Sequence, residues 1–138
     1  MKIYIGNREI QDQEFKKITD IKVLDVIVDD SECNVIVLDN ILSKYGLQEA
    51  INNLNIAIRK LRIGGTVIIN DIDFDLLTYL YRKNPNIIDL NNSMNAFGGF
   101  KSFLTNFLLL DIMKNFQELN LLANSFNGIE FRMEFLRK

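Results

Sequence analysis

The chain has 138 residues, 48% hydrophobic and 25% charged, enough for one self-sufficient core and too few for two domains, so a single domain over 1–138 is expected. Lys and Arg total 16 against 18 Asp and Glu, a net charge of -2, which offers no broad basic surface for nucleic acid. There is no histidine and a single cysteine, Cys33. That excludes imidazole bases, histidine-activated nucleophiles, and a disulfide framework or cysteine zinc site within one chain.

The first residues turn polar at Asn7, Arg8 and Glu9 before any signal-peptide apolar region develops. The richest apolar stretch, Phe103 to Met113, is interrupted by Thr105, Asn106 and Asp111, so it does not read as a membrane span. A soluble, cytoplasmic protein is expected.

Lys2–Ile5 reads as a first strand closed by Gly6. Asp12–Lys17 has room for one helical turn, and Ile18–Val23 alternates weakly as a second strand. Asn34–Leu38 is a continuous apolar run, the pattern of a strand buried on both faces. Leu47, Ala50, Ile51, Leu54, Ala57, Ile58 and Leu61 then follow helical spacing. Arg59, Lys60 and Arg62 favour the end of that helix, and Gly64-Gly65 is its expected stop. With Thr66–Asn70 as the next strand, Asn34–Asn70 is predicted to be a βαβ unit with a parallel pair.

Asp73 is placed to cap a helix over Phe74–Arg82. Lys83–Lys101, with Asn84-Pro85-Asn86 and Gly98-Gly99, reads mainly as a mobile loop bordering an acceptor site. Asn106 is the expected cap of a helix over Phe107–Leu119. A hairpin ends the chain: a strand at Leu121–Phe126, an Asn127-Gly128 turn of type I′, and a strand whose Ile129, Phe131, Met133 and Phe135 alternate with polar residues.

Three segments resemble class I S-adenosylmethionine-dependent methyltransferases. KIYIGN (Lys2–Asn7) is similar to their first strand and the start of its glycine loop. DDSECNVIVLDNIL (Asp29–Leu42) is similar to their fourth strand. AIRKLRIGGTVIINDIDFDLL (Ala57–Leu77) is similar to their helix end, fifth strand and the acidic turn after it. The resemblance implies a Rossmann-like three-layer α/β sandwich, its sheet mostly parallel with a C-terminal antiparallel hairpin. It implies S-adenosylmethionine as cofactor, a methyl acceptor it does not identify, and methyl transfer as the reaction. Two departures stand out. Gly6 is followed by Asn7, Arg8, Glu9 and Ile10 with no second glycine, and Gly6–Cys33 is too short for the family's full set of helices and strands.

The resemblance implies cofactor-binding roles for Gly6, Asn7, Asp20, Asp25, Asp39 and Asn40. Gly6, Asp20 and Asp39 each have a plainer reading as well. Gly6 is either a point of close backbone approach or a simple turn. Asp20 either accepts the ribose hydroxyls or is a solvated turn carboxylate. Asp25 would border the adenine, whereas Asp29-Asp30-Ser31 reads as a turn. Asp39-Asn40 stands at the carboxyl end of a strand, where open α/β sheets bind ligands, yet capping explains Asp39 equally well. Asp20, Asp39, Asp71 and Asp73 lack the fixed short spacing of a metal site, so none is assigned. Cys33 reads as a small apolar filler. The single-glycine loop keeps a second possibility open: a non-catalytic binding or assembly module with the same fold. Three clear helices are few for a six-strand sheet, which predicts self-association, a homodimer being the simplest form.

Overall fold

The computed structural model describes residues 1–83, 92 and 99–138. Its strands are β1 (Lys2–Ile5), β2 (Phe15–Ile18), β3 (Cys33–Asp39), β4 (Leu61–Ile72), β5 (Leu119–Asn127) and β6 (Glu130–Arg137). Helices among the described residues include α1 (Ile21–Ile27), α2 (Leu47–Lys60), α3 (Phe74–Lys83) and α4 (Asn106–Met113), with a 3-10 turn at Leu42–Lys44. The six strands form one sheet in the order β2-β1-β3-β4-β6-β5. The first four are mutually parallel. β6 runs antiparallel to both β4 and β5.

The parallel register stacks side chains of like kind in rows. Ile3, Ile36, Val67 and Phe135 make one row across the sheet, and Ile18, Ile5, Leu38, Ile69 and Met133 the next. All nine are buried, and they share one core with Leu24 of α1, Ala50, Leu54, Ala57 and Ile58 of α2, and Leu109 and Met113 of α4. Because side chains alternate across a strand, residues between those rows point to the opposite face. There Tyr4, Val37, Ile68 and Glu134 align, followed toward the carboxyl edge by Asp39, Asn70 and Arg132.

The β3–α2–β4 unit matches the sequence reading. The end of α2 does not. The helix stops at Lys60, and Leu61 is already strand, paired with Cys33. Gly64, at φ +82°, and Gly65 lie inside β4, where the register between Cys33 and Val35 shifts. A Cβ at Gly65 would come within 2.9 Å of the Cys33 carbonyl oxygen. Gly65 therefore serves the close approach of two strands, and Gly64 a left-handed step of the backbone, rather than a helix stop.

The second strand also moves. It is Phe15–Ile18, in register with Lys2–Ile5, so the turn expected in Asp12–Lys17 is confined to Asp12–Phe15, where the Phe15 amide donates to the Asp12 carbonyl at 3.3 Å. Ile18–Val23 is divided between the end of β2 and the start of α1. Ile21, Leu24 and Val28 are buried at i, i+3, i+7 spacing, which a helix satisfies as well as the weak alternation suited a strand.

α4 is shorter than Phe107–Leu119, and its cap is Thr105, whose hydroxyl accepts from the Leu108 amide at 3.0 Å. Asn106 is its first helical residue and exchanges amide hydrogen bonds with Asn124 of β5. The hairpin turn is Gly128-Ile129, closed by the Asn127–Glu130 pair, with Gly128 at φ +62°. Glycine at the first central position marks type II′, one residue later than Asn127-Gly128. Most of Lys83–Lys101, including Gly98, lies outside the described residues. No described helix is long and apolar enough to cross a membrane.

Candidate functional site

β1, β2 and β3 end together because their parallel register aligns Ile18, Ile5 and Leu38. Gly6 and Asn40 follow β1 and β3 directly, Asp39 ends β3 and Asp20 lies two residues beyond β2, so one sheet edge gathers them. The Gly6 amide donates to the Ile18 carbonyl at 3.2 Å. A side chain at Gly6 would lie 2.8 Å from the Tyr4 hydroxyl and 3.0 Å from both the Cβ and the carbonyl oxygen of Asp39. Glycine is required here by the neighbours.

Asp39 is buried and held from two sides. The Tyr4 hydroxyl donates to its carboxylate, and Arg8 Nε stands 3.5 Å from the same oxygen. Arg8 also donates to Glu130, the first residue of β6. Burial, then the bond to Asp39, raises the Tyr4 pKa well above the usual phenol range. Burial works against the Arg8 charge, but Glu130 and Asp39 outweigh it and raise its pKa. Tyr4 and Arg8 are therefore fixed donors at neutral pH rather than bases.

Asn40 adopts the left-handed conformation at φ 54°, which asparagine tolerates better than most residues. Its amide N–H donates to the Asn70 carbonyl at 2.8 Å, tying the ends of β3 and β4. Its side-chain Nδ2 donates to Asp39 at 3.4 Å and to Glu130 at 3.2 Å. The residue is 7% exposed, and its Oδ1 is buried with no hydrogen-bond partner among the described residues. A buried amide oxygen left unpaired costs roughly 1–3 kcal/mol.

Asp20 is exposed and caps α1, its Oδ1 accepting from the Lys22 amide at 2.9 Å. The Tyr45 hydroxyl approaches the same oxygen at 3.5 Å. Asn7 lies exposed on the loop after Gly6. Asp25 does not join this edge. It sits on α1 beside the end of α2, paired with Arg59 at 2.6 Å and Lys60 at 3.1 Å. Asp30 completes that cluster, and Lys60, more than any other neighbour, holds the pKa of both carboxyls below the usual value.

Asp71, at the end of β4, is fully buried, accepting from the Ser43 amide at 3.1 Å and from Ile72 at 2.8 Å. Burial pushes its pKa up to about 6. Asp73 caps α3 through the Leu76 amide at 3.0 Å, as the sequence predicts. No group of three or more Cys, Asp or Glu side chains suited to a metal occurs among the described residues. Cys33 is buried, and burial raises its thiol pKa.

Beyond Arg8 opens a cleft of about 200 Å³, lined by Arg8, Asn70, Ser125, Glu130 and Arg132 among others. Sequence reasoning missed Tyr4, Arg8, Glu130 and Tyr45. The one local signal was a tyrosine between two isoleucines of β1. The Arg8–Glu130 pair spans 122 positions and leaves no local trace.

No family model matches the chain, and no curated protein sequence is found similar to it. Solved structures do match. An O-methyltransferase family protein from Burkholderia thailandensis superposes with a TM-score of 0.58 at 14% identity, over 90% of this chain and 35% of that one. A SAM-dependent methyltransferase from Methanosarcina mazei gives 0.58 at 13% identity, over 89% and 66%. Magnesium protoporphyrin IX methyltransferase from Synechocystis, solved with bound SAH, gives 0.58 at 11% identity, over 90% and 51%. The chain spans between about a third and two thirds of the length of these three neighbours. At such identities the likeness shows the fold: a Rossmann-like α/β fold of the class I methyltransferase type.

Proposed function

We propose that this chain binds S-adenosylmethionine across the carboxyl ends of β1, β2 and β3 and transfers its methyl group to a small acceptor. The observation that carries this reading is Asn40. Its amide oxygen is buried at the ligand edge without a donor among the described residues, and an N–H from the amino-acid end of the cofactor would supply one. Asp39, beside it, adds negative charge for the same ammonium. Gly6 and the exposed Asn7 would border the methionine part. Asp20, exposed at the end of β2, would accept the ribose hydroxyls. Asp25 is left out, since it stands away from this edge, on α1 beside Arg59 and Lys60 at the end of α2.

When bound, the cofactor supplies an electrophilic methyl group on a positively charged sulfur. The chain's own task is then alignment of acceptor and donor. A thiolate, carboxylate or neutral amine needs little help from a base, which suits an edge where Tyr4 stays protonated. The cleft beyond Arg8 has room for a small polar acceptor. Its wall carries both signs of charge, from Arg8, Arg132 and Glu130.

A second reading, a non-catalytic module, is favoured by one observation. Gly6 makes room for Tyr4 and Asp39, and Arg8 already meets the carboxylates of Asp39 and Glu130. Incubation with methyl-labelled S-adenosylmethionine and pools of thiols, carboxylic acids and amines separates the two. A labelled small product supports the enzyme. Cofactor binding without label transfer to any pool assigns the fold to the module.

A further inference from the structure

We propose that β5 pairs edge to edge with β5 of a second copy of this chain, antiparallel about a twofold axis near Ala123–Ser125. Among the described residues β5 is the last strand in the sheet, and only its β6 side is paired. Its nine residues, LNLLANSFN, carry no charge, proline or glycine. Leu121, Leu122 and Phe126 are 48%, 54% and 55% exposed.

An exposed strand of this kind is a template for another strand, and proteins usually blunt such edges with lysine, proline or short length. The opposite edge of this sheet shows the contrast: β2 has four residues, and Lys16 and Lys17 are exposed on it. β5 lacks these and carries one edge device of another kind, a bulge near its start. Its one irregularity is the register shift between Leu121 and Ala123, after which Ala123–Asn127 pairs regularly with β6.

The occupant is a second copy because β5 is complementary to itself. An antiparallel twofold pair sets each outward N–H against a carbonyl of its twin. A strand without charge meets its own image without repulsion, and exposed Leu122 then lies opposite Phe126 of its twin. A strongly charged partner would find no complement there.

Sedimentation equilibrium of the full chain at high micromolar concentration is expected to give twice the chain mass; the single-chain mass overturns the proposal. Ala123→Lys is the variant to compare. Ala123 lies opposite Glu134 on β6, so a lysine is accommodated within one copy while like charges face each other across the axis. Its dimer dissociation constant should rise about tenfold or more with an unchanged circular dichroism spectrum; an unchanged constant in a folded variant means another surface dimerises, which also overturns it. Should that variant not fold, Ser125→Cys decides. A short bis-maleimide should crosslink Ser125→Cys between copies, the two thiols lying diagonally across the axis, and leave Lys16→Cys on the β2 edge uncrosslinked, Cys33 being buried. Equal crosslinking of both, or of neither, contradicts the pairing.

Discussion

Gly6 is held by its surroundings. A Cβ at this position would meet the Tyr4 hydroxyl first, at 2.8 Å, so overpacking sets the cost of substitution. Gly6→Ala is expected to destabilise the fold by about 1–3 kcal/mol, read from urea unfolding. The same change in a Tyr4→Phe background should cost less, because the closest atom is gone. An equal cost in both backgrounds would show that the Tyr4 contact is not the cause. Asp71 makes a pH prediction at the same scale. Its folded pKa of about 6 lies above the ordinary value of 3.8, so the folded state binds this proton more tightly than the unfolded chain. Unfolding free energy should therefore rise as pH falls from about 7 toward 4, by at most roughly 3 kcal/mol. Asp25 and Asp30, whose pKa values are lowered, lose their contribution only at more acid pH. Urea titrations of Asp71→Asn should lack the rise; a rise that persists in this variant locates the proton elsewhere.

At the scale of elements, one carboxylate ties two helices. Asp73 accepts from Leu76 in α3 at 3.0 Å and from the Asn106 amide of α4 at 2.9 Å. Asp73→Ala should cost about 2 kcal/mol, near the top of the capping range, and Asp73→Asn less, since one oxygen remains. Thermal unfolding that separates neither variant from the parent would remove the joint-cap role. The elements legible in the sequence were those whose pattern admits one period. α2 and β6 are of this kind, and their apolar faces are the ones buried, while β3 was legible as a short unbroken apolar run. Ile18–Val23 admitted two, and pairing of Phe15–Ile18 with β1 decided between them. Asp20 was a helix cap hidden inside a presumed strand. α4 misled for a different reason: Leu108, Leu110 and Ile112 leave few polar positions to mark where its stripe ends.

For the whole molecule, periodicity could place strands and helices, but not the contacts made when strands distant in sequence share an edge. Gly6, Asp20, Asp39 and Asn40 were readable because strand ends of an α/β sheet collect there. Tyr4, Arg8 and Glu130 were not, since their meeting depends on β6 entering beside β4. The central claim is that this edge binds S-adenosylmethionine, with Asp20 on the ribose. The variant that tests it most directly is Asp20→Asn. Asparagine caps helices as well as aspartate, so α1 keeps its cap while the carboxylate charge is lost. Asp20→Ala would lose both and confuse binding with stability. Calorimetric titration of the cofactor into parent and Asp20→Asn is the decisive measurement. Saturable binding by the parent, weakened about tenfold or more in the variant, is the expected result, since hydrogen bonds to a charged group are each worth roughly 1.5–3 kcal/mol. No binding by the parent at millimolar ligand, or equal affinity in the two proteins, would contradict it.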